Sequence, residues 1–287
     1  AEPLQSRAFA RRVHPFPGDD RRKIEKGIAA QPDSVIMDLE DGVALNRKAE
    51  ARAVIATALA ELDFGPVEKI VRINPIGSEL EADDLAAVLP ARPEAIMVPK
   101  AESAEQVDWV HRQTELPLLL MIETAKGLIN LKEIAAAPGV AAVCFGADDY
   151  TASVGGTRTR DRDSVNLLYA RSVIAAHAAA FDLQAVDTPF VNLQDEAWLR
   201  DETRAIVELG YSGKLAIHPK QIAPILEAFR PTPEEVERAR RLVQAHDQHQ
   251  AHGSGVFDFE GRMVDMPVIR AAYNVLARAG ISLPNQS

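Results

Sequence analysis

Glu123 and Asp149 stand at the ends of two short apolar runs, PLLLMIET and VAAVCFGADD, and Arg72 ends an earlier one, KIVRINP. Two carboxylates converging without a thiolate or several histidines suit a hard cation. Mg²⁺ takes one or two carboxylates and leaves the rest of its octahedron to water and substrate. Glu40 and Asp41 close the run SVIMDLED, one strand further away, where they can hold metal-bound water. Arg72 is a fixed cation suited to a substrate carboxylate or to a developing oxyanion. These residue types point to metal-assisted chemistry on an anionic, oxygen-rich substrate.

The elements that must position them follow one rhythm. Seven runs read as strands (SVIMDLE, KIVRINP, AIMVPK, PLLLMIET, VAAVCFGADD, LQAVDTPF and KLAIHP), and a weaker eighth, RRVHPFPG, precedes them. Between them lie helical stretches such as RKAEARAVIATALAEL, AESAEQVDWVHRQ, NLLYARSVIAAHAAAF and DEAWLRDETRAIVELG. Strands alternating with helices give right-handed βαβ units and a parallel sheet. Eight such units in 287 residues predict an α/β fold of the closed (β/α)₈ TIM barrel type, over residues 1–230. No GxGxxG turn follows the first strand, as an open dinucleotide-binding sheet would have it. In a barrel all strand C-termini meet at one rim, so the acids, Arg72, Lys100 and His218 are expected there. Residues 231–287 read as a C-terminal helical and hairpin appendage, packing on the barrel or on a neighbouring subunit.

The formal charge of −10 argues against general affinity for nucleic acid or anionic membranes. One cysteine, Cys144, rules out an internal disulfide and fits a reducing cytoplasm. No apolar stretch approaches the roughly 18 residues of a membrane span, and the opening AEPLQSRAFARRVHPFPG lacks the apolar centre of a secretory signal. A cytoplasmic enzyme is the expectation.

Ten motifs then occur in order: MDLEDGV, VRINP, VPKAES, MIETAKGL, FGADDYTASVGGTRT, YARS, AVDTPF, GYSGKLAIHPKQI, FRPTPEEV and GVFDFEGRMVDMPVIRAA. Together they closely resemble the citrate lyase β-subunit-like (CitE-like) proteins of the HpcH/HpaI aldolase superfamily, from about Arg11 to about Ala279. The resemblance implies a homotrimer or a dimer of trimers. It also implies Mg²⁺-dependent (Mn²⁺ as a substitute) cleavage or formation of a C–C bond in a 3-hydroxyacyl-CoA thioester. The malyl, citramalyl and citryl thioesters all fit, with acetyl-CoA and a keto acid as the other side of the reaction. Glu123 and Asp149 match the metal ligands, Arg72 and Glu123 the substrate-binding set, and Glu40 and Asp41 the acidic pair near the metal's water. Arg72 also matches the arginine that stabilises the thioester enolate, and Asp148 a supporting acid. Asp265, in G-R-M-V-D, matches the aspartate that exchanges the acetyl proton from a neighbouring subunit. Read alone, Asp265 is equally an N-cap for the helix that Pro267 opens. Two alternatives remain: a citrate lyase β subunit working on a carrier-bound thioester, and a metal-dependent aldolase of free 4-hydroxy-2-keto acids.

Other residues carry weaker signals. Lys100 either forms a Schiff base with a keto acid or offsets the acidic rim. His218 either orients a carboxylate or is structural. His246, His249 and His252 read as a solvated helix terminus, and Arg158, Arg160 and Arg162 as an interface or exposed loop. Met37, Met97, Met121 and Cys144 read as core. The first strand departs from the family pattern: His14 and Pro15 intrude, and a shorter or irregular strand is expected.

Overall fold

The computed structural model describes residues 11–18, 20–158, 165–251 and 256–281. Two compact units divide after Leu226.

In the first unit the apolar runs become short strands, and β2, β4, β5 and β8 are buried along their whole length, as parallel sheets require. They are β1 (Arg11–Pro17), β2 (Ser34–Asp38), β3 (Glu68–Arg72), β4 (Ala95–Val98), β5 (Leu118–Ile122), β6 (Val140–Phe145), β7 (Gln184–Asp187) and β8 (Gly213–Leu215). Each pairs in parallel with the next, and β8 returns to β1 across Arg11–Val13, so the hydrogen-bonded order closes on itself. This is an α/β fold with a curled parallel sheet. Ile36, Ile70, Met97, Leu119, Cys144 and Val186, from six successive strands, meet in one buried cluster.

β1 is longer than the sequence suggests: it spans seven residues, prolines included. Its pairing with β8 stops at Val13, so Pro15 and Pro17 fall where the strand has a neighbour on one side only. A missing N–H is tolerated at such an edge.

Helices follow the strands: α1 (Arg21–Ala29), α2 (Lys48–Glu61), α3 (Glu81–Val88), α4 (Ala104–Thr114), α5 (Ala125–Ile129), α6 (Leu131–Ala135), α7 (Ala147–Ser153), α8 (Val165–Ala180), α9 (Glu196–Glu208) and α10 (Ile222–Phe229). Several begin on side-chain caps that fix where each loop hands over to its helix. Asp20 accepts from the N–H groups of Arg22 and Lys23, Thr124 from Gly127 and Asp195 from Trp198, while Ser103 and Gln106 form a capping box. Among the described residues no helix is long and apolar enough to cross a membrane.

The second unit holds α11 (Pro233–Ala251), the hairpin β9 (Phe257–Phe259) and β10 (Arg262–Val264), and α12 (Met266–Arg278). Leu242, Val243, Phe257, Val264, Ile269 and Leu276 form its core. The expected solvated histidines are corrected in part. His246 is buried, and His249, though exposed, stacks on Phe257 with ring centroids 4.5 Å apart, because the hairpin folds Phe257 back onto α11. His252 lies outside the described residues.

Candidate active site

The carboxyl ends of β2 and β3 build the first part of the site. Asp38 and Arg72 are register partners at the last step of the β2–β3 ladder. Asp38 Oδ1 accepts from Arg72 Nε and Oδ2 from Nη2, both at 2.7 Å, a bidentate charge-assisted pair. The same carboxylate accepts the N–H groups of Glu40 (2.8 Å) and Gly42 (3.0 Å), so it shapes the turn that carries Glu40 and Asp41. Burial works against the charge on Arg72, but Asp38, Glu40 and Glu123 more than offset it and raise its pKa. A guanidinium has five N–H donors. Two donate to Asp38 and Nη1 lies in ion-pair contact with Glu40, which leaves at least two for a ligand.

Glu40 is almost fully buried between two cations: Arg72 Nη1 lies 2.9 Å from Oε2, and Lys100 Nζ contacts Oε1. Burial raises its pKa, Arg72 and Lys100 oppose this, and Asp41 adds to it. Asp41 is exposed, 3.5 Å from Lys100 Nζ. Below them Lys48 donates to Leu39 O, Glu40 O and Asn74 Oδ1 (2.5, 2.8 and 2.7 Å), and Asn74 donates to Asp84, which Arg52 holds.

Lys100, just past β4, joins this acid pair to the next. Its backbone is left-handed, with φ +47°, a strained conformation for a residue with a Cβ. That turn aims its N–H at Glu123 Oε1 (2.8 Å), while its ammonium faces Glu40 and Asp41. Burial lowers the lysine pKa, but Glu40, Glu123 and Asp41 raise it further, so the amine stays protonated. A protonated amine is no nucleophile, and the reading in which Lys100 offsets the acidic rim is the one this geometry fits.

Glu123 follows β5, and only 3% of its surface is exposed. Burial, and next the charge of Glu40, push its pKa up to about 8, against the Lys100 N–H and the charges of Lys100 and Arg72. Its carboxylate lies where a side chain on Gly146 would be: a Cβ there would sit 2.5 Å from both Glu123 Cβ and Oε2. Asp148 and Asp149 do not end a strand, as the run VAAVCFGADD suggests. β6 stops at Phe145, Gly146 is the N-cap, and both acids lie in the first turn of α7. A glycine followed by acids is a helix-start signal. The glycine that opens α7 therefore also makes room for Glu123.

These residues fit Mg²⁺. The donors are all oxygens, Glu123 spends one oxygen on a single N–H, and Glu40 Oε2 accepts no well-aligned hydrogen bond. Burial is the main reason the Glu123 pKa is raised, and the nearby Lys100 and Arg72 do not fully offset it. Among the described residues no three Asp, Glu, His or Cys side chains form a ready-made cage. A cation held by one or two carboxylates plus water does not need one.

Asp148 pairs with Arg158, whose Nη1 is 2.6 Å from Oδ2 and whose Nη2 donates to Pro189 O (3.2 Å). Arg158 is thus turned inward rather than exposed; Arg160 and Arg162 lie outside the described residues. His218 Nδ1 accepts the Lys220 N–H and caps the turn at Pro219–Gln221, a structural role. Asp265 belongs to the second unit. It occupies the N-cap position of α12, yet its exposed side chain makes no cap hydrogen bond. Sequence reasoning missed Asp38, Lys48 and Gly146. The register that pairs Asp38 with Arg72 is the one signal that singles it out.

Acids and cations gathered at the carboxyl ends of parallel strands, half of them buried, mark an enzyme of the α/β class that works at its strand ends. Residues 15–219 match the model of the HpcH/HpaI aldolase/citrate lyase family, and the chain belongs to that family. It is 39% identical over 285 residues to human mitochondrial citramalyl-CoA lyase, covering 92% of this chain and 83% of that one. It is 34% identical over 276 residues to citrate lyase subunit beta of Haemophilus influenzae (92% and 94%). Among solved structures, CitE of Mycobacterium tuberculosis in complex with magnesium, acetoacetate and coenzyme A superposes with a TM-score of 0.85. That match has 35% identity over 96% of this chain and 99% of the other.

Proposed function

We propose that this chain is a Mg²⁺-dependent carbon–carbon lyase that cleaves or forms a 3-hydroxyacyl-CoA thioester of the malyl, citramalyl or citryl type. Acetyl-CoA and a keto acid are the other side of the reaction. The observation that carries this is the pairing of Arg72, with at least two uncommitted N–H donors, and Glu123, a carboxylate whose burial the nearby cations do not fully offset. The relatives named above add the thioester and the metal. The curled sheet is read as a full (β/α)₈ TIM barrel, supported by the pairing of β1 with both β2 and β8.

Glu123 and Asp149 would hold the cation, with Glu40 and Asp41 near its water; Mn²⁺ is a workable substitute. When bound, Mg²⁺ supplies Lewis-acid polarisation of substrate oxygens. Arg72, fixed by Asp38, donates to the substrate and stabilises the enolate oxygen of the acetyl thioester as negative charge develops there. Lys100 offsets the negative charge of Glu40 and Asp41. Asp265 delivers the proton to the acetyl carbon, or removes it in the forming direction, from a neighbouring subunit of a homotrimer or dimer of trimers. Its exposed carboxylate is not spent on capping α12, and exposed Met263, Met266 and Val268 give that region an apolar surface for a partner to cover. The buried Cys144 supports a reducing compartment such as the cytoplasm.

The test is cleavage of malyl-CoA, citramalyl-CoA and 3-hydroxy-3-methylglutaryl-CoA, each with Mg²⁺ and with EDTA, beside a Glu123→Gln control. Mg²⁺-dependent release of acetyl-CoA, lost in the variant, is expected for one of them. Turnover only of a carrier-linked citryl thioester would instead favour the citrate lyase β-subunit reading. Turnover only of free 4-hydroxy-2-keto acids would favour an aldolase. Turnover that survives EDTA would overturn the metal.

A further inference from the structure

Beneath the carboxyl ends of β7 and β8, three charges are buried and a fourth, Glu202, is nearly so. Asp187 and Lys214 are fully buried, and Arg171 of α8 nearly so. Arg171 Nε and Nη2 donate to Asp187 at 2.8 and 2.9 Å. Lys214 Nζ donates to Asp187 Oδ2 at 2.6 Å and to Glu202 Oε1 of α9 at 2.8 Å. Two cations thus meet two anions, and the cluster needs no counter-charge from elsewhere.

The third Lys214 donor leaves the cluster and goes to Thr188 O (2.8 Å). The next two carbonyls are held as well: Pro189 O by Arg158 at 3.2 Å, Phe190 O by Gln221 at 2.6 Å. Three consecutive carbonyls are therefore fixed by side chains from three separate segments. Such a loop does not move freely. Thr188 itself is buried, and its Oγ1 accepts the N–H of Ala147 at 3.1 Å. Ala147 is the first residue of α7, and its N–H is one of those a helix leaves without an internal partner. An N-cap side chain serves the second and third N–H groups of a helix, so the first N–H, next to the N-cap Gly146, needs a partner from elsewhere. Thr188 supplies it from the loop after β7.

We infer that Thr188 is a positioning residue for Asp149: the buried cluster fixes Thr188, Thr188 fixes the first turn of α7, and that turn sets Asp149 at the cation. The inference rests on the proposed metal-binding role of Asp149. It adds a requirement that role does not contain, namely that the metal site depends on a buried threonine whose hydroxyl is engaged by the first N–H of α7.

The experiment is titration calorimetry of the purified full chain with Mg²⁺ alone, on Thr188→Val, Thr188→Ser, Thr203→Val and Asp149→Asn. Thr203 is an equally buried threonine whose Oγ1 donates to Leu199 O inside α9 at 2.6 Å, away from α7. Thr188→Val is expected to raise the Mg²⁺ dissociation constant about tenfold, in the range found when an outer-shell partner is lost. Thr188→Ser should restore it to within about twofold, since the hydroxyl acceptor returns. Thr203→Val should lower the melting temperature without changing Mg²⁺ binding. If Thr188→Val does not fold, Thr188→Ala removes the same acceptor and is read in the same way. An unchanged constant in the Thr188 variant, no rescue by serine, or an equal loss in Thr203→Val overturns the inference. If Asp149→Asn also leaves Mg²⁺ binding intact, the metal reading itself fails. If Asp149→Asn weakens it and Thr188→Val does not, the positioning role alone fails.

Discussion

Replacing Gly146 with alanine tests the site more sharply than removing any of its charges. The new Cβ would lie 2.5 Å from Glu123 Cβ and from Oε2, about 1 Å inside ordinary carbon contact. Glu123 Cβ cannot swing away, because it sits on the backbone immediately after β5, whose five residues are all buried. Nor can Gly146 retreat without cost: its N–H donates to Ile122 O at 3.1 Å and extends the β5–β6 ladder. Relief comes by opening that ladder or by driving the Glu123 carboxylate off the Lys100 N–H. Overpacking of this kind costs about 1–3 kcal/mol, or roughly 2–10 °C in melting temperature for a chain of this size. A displacement of about 1 Å in a reacting group costs on the order of 100-fold in rate. Gly146→Ala is therefore expected to lose stability, Mg²⁺ affinity and about two orders of magnitude in kcat/KM together. Gly210→Ala is the control: φ is +99° and nothing lies within 4 Å of its Cβ, so it should cost stability through backbone strain alone. Calorimetric Mg²⁺ titration and thermal melts decide it. Gly146→Ala binding Mg²⁺ within twofold of the natural chain would refute the account of the Glu123 cradle.

Four further outcomes follow from the same geometry. Asp38→Asn keeps the shape of the side chain but leaves the nearly buried Arg72 with Glu40 as its remaining charge partner; we expect a loss of about 3 kcal/mol in urea unfolding and a fall in kcat/KM. The folded-state pKa of Glu123 is raised from 4.5 to about 8, so its stabilising contribution is full below about pH 4.5 and is lost as pH rises through about 8. At about 1.4 kcal/mol per pH unit the loss is on the order of 5 kcal/mol. In EDTA the unfolding free energy should drop between pH 5 and 8, and Glu123→Gln should flatten that drop. Lys100→Gly keeps the N–H to Glu123 and relieves the φ of +47°, whereas Lys100→Met keeps the strain. The glycine variant should be the more stable by about 1 kcal/mol in urea unfolding. Borohydride added to the natural chain with a keto acid should leave its mass unchanged.

Much of the rim was legible because it depends on local pattern. Apolar runs that end in Glu40, Arg72, Lys100 and Glu123 are strands whose polar ends must face outward, and that reading needs no tertiary information. Asp38 was not legible in the same way. It lies inside its run, and its partner Arg72 is distant in sequence, so only the register of β2 against β3 reveals the pair. Asp149 was identified as a residue but placed on the wrong element, since the apolar run was read through Gly146 into the helix. The left-handed turn at Lys100 had no signal at all: glycine or asparagine would announce such a conformation, and lysine does not. Thr188 was hidden inside AVDTPF for a related reason, because its value lies in what holds its carbonyl.

The neutral cluster of Asp187, Lys214, Arg171 and Glu202 also constrains how this chain can diverge. Removing any one member strands an opposite charge in a place water does not reach, at a cost of about 3–5 kcal/mol, a large share of the stability of a typical domain. Single substitutions there are dead ends, whereas a simultaneous exchange of one cation and one anion for apolar residues of similar volume can be nearly neutral. Accepted changes at these four positions should therefore arrive in opposite-charge pairs, and a library of all double variants would show strong sign epistasis within the four. The exposed rim acids above, Asp41 and Asp148, can vary one residue at a time. In this lineage, substrate choice is free to drift on top of a foundation that changes only by coordinated steps.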